Sequence, residues 1–70
     1  MTNEHQQNPL WLILVETVHN LPLYPTHKSY IREKILINEP EVTPERISRI
    51  LNMPLGEAIV ILIELKSEKI

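Results

Sequence analysis

The sequence predicts an all-α fold, a small helical domain in which an extra N-terminal helix precedes three more helices. Two observations carry this. Asn8-Pro9 and Thr43-Pro44 each pair a side chain that caps a helix with a residue pre-set for the first helical position. Apolar residues also recur at helical spacing, as Ile31 and Ile35 and again as Ile47, Ile50 and Leu51.

The elements follow in order. Residues 1–8 read as a flexible tail and 9–70 as one helical domain. The run from Leu10 to His19 is expected to form the extra helix, over 9–20. It is apolar on nearly every side, so it must be covered on nearly every side. A strand is the alternative, because a short apolar run does not separate the two. Pro22 and Pro25 make 21–25 a connector, with Leu23 and Tyr24 on the core. A second helix is expected from Thr26 or His27 to about Asn38. Ile31 and Ile35 point inward, flanked by Tyr30 and Ile37, while Lys28, Arg32 and Glu33 point outward. Asn38-Glu39-Pro40 ends it. Thr43 then caps a third helix, with Glu45 and Arg49 four apart in the favourable order, and Asn52 closes it in the left-handed conformation. The fourth begins at Pro54 or Leu55 and runs to Lys66 or Glu68, ending a three-helix core over 27–68.

Composition narrows the function classes. Seventy residues make one domain at most, and a chain this short needs close helix packing or oligomerisation to stabilise its core. With no cysteine there is neither a disulfide framework nor a thiolate metal site. A net charge of -2 counts against a dedicated nucleic-acid binder. Residues 1–25 hold Glu4 and Glu16 and no Lys or Arg, whereas Lys28, Arg32 and Lys34 form a local basic segment. The start has neither the basic residues nor the apolar run of a signal peptide. The apolar stretches fall well short of the ~20 residues that span a bilayer. A cytoplasmic protein is expected.

The stretch from Val42 to Leu65 places two short helices either side of a turn of three or four residues, the pattern of a helix-turn-helix. It resembles the winged-helix superfamily over residues 29–70. Ile31 and Ile35 match the first helix of that pattern, and Thr43, Ile47, Leu51 and Met53 the second helix and turn. Ala58, Leu62 and Leu65 match the buried face of the third. Lys69-Ile70 falls where the first wing strand would start, so the resemblance is to a truncated, wingless member. The superfamily includes DNA readers and domains that bind only protein, so the fold alone does not choose. At the positions matching Leu55, Ile59, Val60 and Ile63, DNA-reading members carry polar or basic side chains, because base edges and phosphates demand donors and acceptors. Here all four are aliphatic and the nearest charge is Glu57. That face is expected to pack on something apolar, either the extra helix of its own chain or that of a second copy. The resemblance implies dimerisation through such added helices.

The expected function is therefore a non-enzymatic protein-interaction module, a homodimer or a subunit of a larger complex. Its apolar interface residues are Trp11, Leu14, Leu55, Ile59, Val60 and Ile63. The alternative is a DNA-binding regulator in which Lys28, Arg32, Arg46 and Arg49 touch phosphates, although a solvated charged face is the plainer reading of those four. Catalysis, a cofactor and a metal are not indicated. His5, His19 and His27 are scattered, Glu16 and His19 read as a surface pair, His27 as a helix-start residue, and the chain has no Asp. Gly56 is expected to let the fourth helix pack tightly on the third, rather than to admit another backbone. Trp11, among aliphatic neighbours, reads as a core or interface anchor.

Overall fold

The structure, a computed structural model, describes residues 8–68. The expected tail over residues 1–7 and the wing start at Lys69-Ile70 lie outside the described residues. Among the described residues the chain is all helical, with four helices and no strand. These are α1 (Pro9–His19), α2 (Tyr24–Tyr30), α3 (Pro44–Leu51) and α4 (Leu55–Glu68), and α2 runs on as a π-helical segment (Ile31–Ile35). The apolar run of α1 is thus a helix and not a strand. No helix among the described residues is long and apolar enough to cross a membrane.

Local chemistry sets most boundaries. The Asn8 side chain accepts a hydrogen bond from the Leu10 backbone N–H at 2.8 Å, so Asn8 is a helix cap and not part of a loose tail. Thr43 caps α3 in the same way, accepting from the Arg46 N–H at 3.2 Å. Pro9 and Pro44 follow their caps, where a missing N–H costs nothing. Asn52 ends α3 at φ 55°, the left-handed conformation that Asn tolerates better than most residues.

The second helix departs from expectation at both ends. It begins at Tyr24, because Pro25 fits within the first turn rather than in a connector. Its C-terminal half then widens: the Leu36 N–H bonds to the Ile31 carbonyl at 2.9 Å, five residues back. Ile31 and Ile35 lie in the core, while Ile37, just beyond the π segment, is 72% exposed. Tyr30, Ile50 and Leu23, all expected on apolar faces, are exposed as well. Tyr24 does pack against the core.

The core is centred on α4. Ala58, Val60 and Ile61 are fully buried and Leu62 and Leu65 nearly so, joined by Ile31 and Ile35, Ile47 of α3, and Val42 and Met53 from the connectors. With α1, α2 and α3 all resting against it, α4 has little face left for solvent.

Candidate interaction surface

α1 lies on α4 within the same chain, but only by one face. Val18 is buried, and Trp11, Leu14 and Val15 are half-buried. Leu14 reaches Gly56 so closely that a Cβ at Gly56 would stand 3.0 Å from its Cδ1. The glycine therefore admits a side chain of α1, not a close approach of α3. On the opposite face Leu10, Leu12 and Ile13 are 73%, 53% and 58% exposed. The chain's own described residues thus cover this helix on one side only.

The α4 residues assigned to an outward apolar face divide. Val60 is fully buried, Ile59 and Ile63 are half-buried, and Leu55 is exposed. Glu57 also points inward. It is only 2% exposed, and its carboxylate shares a 2.7 Å hydrogen bond with Nδ1 of His27 on α2. His27 is thus a half-buried partner of Glu57 and not simply a helix-start residue. The pair ties the first turn of α4 to α2, beside a shallow cavity of about 250 Å³ lined by Leu21, Pro22, Leu23, Met53 and Pro54.

A larger open groove of about 500 Å³ runs between α1 and the C-terminal half of α4. One side is apolar, formed by Trp11, Leu12, Val15 and Ile63. The other is a polar network around Glu64. Its Oε1 accepts from the Tyr24 hydroxyl at 2.6 Å, and its Oε2 lies 2.6 Å from Nε2 of His19. An ionised carboxylate can only accept, so the His19 proton sits on Nε2. His19 accordingly pairs with Glu64 across the fold and not with Glu16 on its own helix. Lys28 donates to Glu68 at 2.8 Å and to Glu64 at 3.4 Å, with Nζ 5.7 Å from the centre of the Tyr24 ring.

These contacts set the charge states. Partial burial pushes Glu64 up, but the hydrogen bonds from Tyr24 and His19 and the Lys28 charge outweigh it and hold the carboxyl below its usual range. Burial pushes Lys28 down, and its bonds to Glu68 and Tyr24 with the nearby Glu64 charge more than reverse that. Burial raises the Tyr24 phenol, and donation to Glu64 raises it further.

The four basic residues considered for phosphate contact are mostly engaged. Lys28, expected outward, has a side chain only 15% exposed and held by carboxylates. Arg46 forms a two-pronged contact with Glu39, at 2.7 and 3.1 Å, which lowers the Glu39 carboxyl and raises the Arg46 guanidinium. Arg32 makes a long contact to Glu68 at 3.9 Å. Arg49 is exposed and has no ion pair among the described residues.

Sequence reasoning assigned Trp11 and Leu14 to an apolar protein interface; within the chain Leu14 meets Gly56 of α4 and Trp11 lines the groove between the two helices. It missed Leu10, Leu12 and Ile13 as the exposed face, and the polar network altogether. Comparison with family models, with curated proteins and with solved structures gave no match to this chain.

Proposed function

We propose that this chain is a non-enzymatic protein-interaction module on a helix-turn-helix plan, acting as a homodimer or as a subunit of a larger complex. The observation that carries the reading is the outer side of α1, where Leu10, Leu12 and Ile13 are all more than half exposed within four residues, whereas Leu23 and Ile37 are exposed to a like degree but singly. Grouped apolar exposure of this kind is what a binding surface leaves open. The helix-turn-helix part rests on α3 and α4, separated only by Asn52 to Pro54 with Asn52 left-handed, which suits the short turn of that motif.

In a DNA-reading helix-turn-helix, the second helix of the motif enters the major groove and must offer polar side chains to base edges. Here that helix is α4. It is overlaid by α1, its residues between Glu57 and Leu62 are largely buried, and its one exposed aliphatic near the start is Leu55. The second reading, a DNA-binding regulator, draws support from Arg49, exposed on α3 without an ion pair among the described residues.

Fluorescence anisotropy with a labelled random duplex at low and physiological salt separates the two. The interaction-module reading expects no binding even at low salt, where nonspecific attraction is strongest. Binding that weakens steeply with salt, and is lost on Arg46→Glu with Arg49→Glu, would replace it with the DNA reading.

A further inference from the structure

The geometry points to a second copy of this chain as the occupant of the α1 surface, bound about a twofold axis with the two α1 helices antiparallel. This inference rests on the interaction-module reading and names its partner.

Three features of the surface fit a copy of itself. First, α1 carries both halves of a contact. Its outer ridge presents Leu10 and Ile13, and its flank, with Leu12 and Trp11, forms the apolar side of the groove against α4. A twofold axis beside Leu12 and Ile13 sets each ridge against the groove side of the other copy. Such self-complementarity is what a twofold interface requires.

Second, the charges match. The polar side of the groove is already balanced within the chain, two carboxylates against two cations, since Lys28 contacts Glu64 and Glu68 and Arg32 lies 3.9 Å from Glu68. It therefore asks for an uncharged occupant, and from Pro9 to Val15 α1 has no charged residue. The one acid on α1 is Glu16, which has no ion pair among the described residues. In an antiparallel pairing centred between Leu12 and Ile13, Glu16 falls beside Pro9 of the second copy, about 10 Å along the helix from its own. The first turn of α1 contains no acid. Glu16 of each copy supplies the negative charge that the positive end of the other helix favours.

Third, the area suits a weak dimer. Three aliphatic side chains more than half exposed leave on the order of 200–300 Å² of apolar surface in water. Counted on both copies with the apolar groove sides, the contact approaches the lower bound of specific interfaces, about 1,000 Å² in total. The dissociation constant of the dimer is then expected to be on the order of micromolar or weaker, so that it falls apart on dilution.

Light scattering and sedimentation equilibrium from micromolar to millimolar concentration test this. The mass is expected to rise from one chain to two and no further. Leu12→Glu and Ile13→Glu should each raise the dissociation constant at least about tenfold with the helical circular dichroism unchanged. Ile37→Glu, at an exposed apolar residue away from α1, should leave it alone. Because the chain has no cysteine, Ile13→Cys should give a disulfide-linked dimer on mild oxidation where Ile37→Cys does not. A monomer at millimolar concentration with no cross-link at position 13 overturns the inference, as does association abolished by Ile37→Glu and indifferent to Ile13→Glu. Monomer without DNA binding removes only the self-partner, whereas binding to the random duplex removes the underlying reading as well.

Discussion

α1 and α4 are nearly alike as sequences and opposite as parts of a structure. Each is a run of aliphatic residues with few polar interruptions, so neither shows a clear inner face. α4 nevertheless holds six buried residues and α1 only Val18. The difference is position. α4 is the element against which the other helices pack, so its hydrophobicity becomes core. α1 comes to rest on the outside of α4, and the part of its hydrophobicity not spent on that one contact stays at the surface. Aliphatic content tells how much burial a helix seeks, and topology tells how much it receives.

The comparison is broken most sharply at the foot of α4. Replacing His27 with Ala leaves the Glu57 carboxylate buried without its partner, and urea denaturation is expected to show a loss of about 3–5 kcal/mol. For a chain of this size that is most of the total stability. The double variant His27→Leu with Glu57→Met should recover much of it, because two packed apolar side chains replace the pair. Failure of the double variant to recover would mean that the pair specifies the α2–α4 arrangement and does more than fill it.

The next contrast sets like against like. Ile61→Ala, in the centre of α4, is expected to cost about 2–5 kcal/mol through lost burial and the cavity left behind. Ile13→Ala on the outer face of α1 should change the unfolding free energy of the dilute chain by no more than about 0.5 kcal/mol. Equal effects would put Ile13 inside the fold and remove the asymmetry.

The network joining α1, α2 and α4 gives the contrast a pH dependence. The Glu64 carboxyl is held below its usual range, so its contribution is complete above that range and is lost as pH falls through the lowered value. Lys28 is raised, so its contribution is complete below the usual lysine value of 10.5 and is lost as pH rises beyond it. Raising Tyr24 likewise favours the neutral phenol in the fold, and ionising it at alkaline pH destabilises the same corner. Thermal unfolding should show both flanks, and Glu64→Gln should flatten the acid one.

The smallest effect is expected at Gly56. Alanine there favours helix by up to about 1 kcal/mol, against a contact with the flexible end of Leu14. A net change between zero and a modest gain in stability means that α1 gives way and α4 does not. A clear loss would show α1 to be held more firmly than its exposure suggests.

Much of this fold was legible in the sequence where the cause is local. The caps at Asn8 and Thr43 and the left-handed Asn52 involve neighbours a few residues apart, and the residue types announce them. The inward positions of Ile31, Ile35, Ile47, Ala58, Leu62 and Leu65 follow from helical spacing and packing class. What the sequence hid depends on distant partners. His27 meets Glu57 thirty residues on, and His19 meets Glu64 forty-five residues on, with no pattern to mark either encounter. The orientation of α4 was hidden for a related reason. When every side is aliphatic, only the neighbours decide that Val60 faces in and Leu55 faces out. The exposed face of α1 was the complement of the same uncertainty.

The wide turn at Ile31–Ile35 has a consequence for how the chain tolerates changes in length. A π turn takes in one residue more than the α-helical ladder around it. Removing one residue between Ile31 and Leu36 lets the helix rewind to ordinary pitch, so the connector beyond it shifts little. The same deletion in α4 has no slack to draw on and turns every later side chain by roughly 100° about the axis. Insertions and deletions are therefore expected to be absorbed in the second helix and refused in the fourth, which makes the π segment the natural place for this fold to gain or shed a residue.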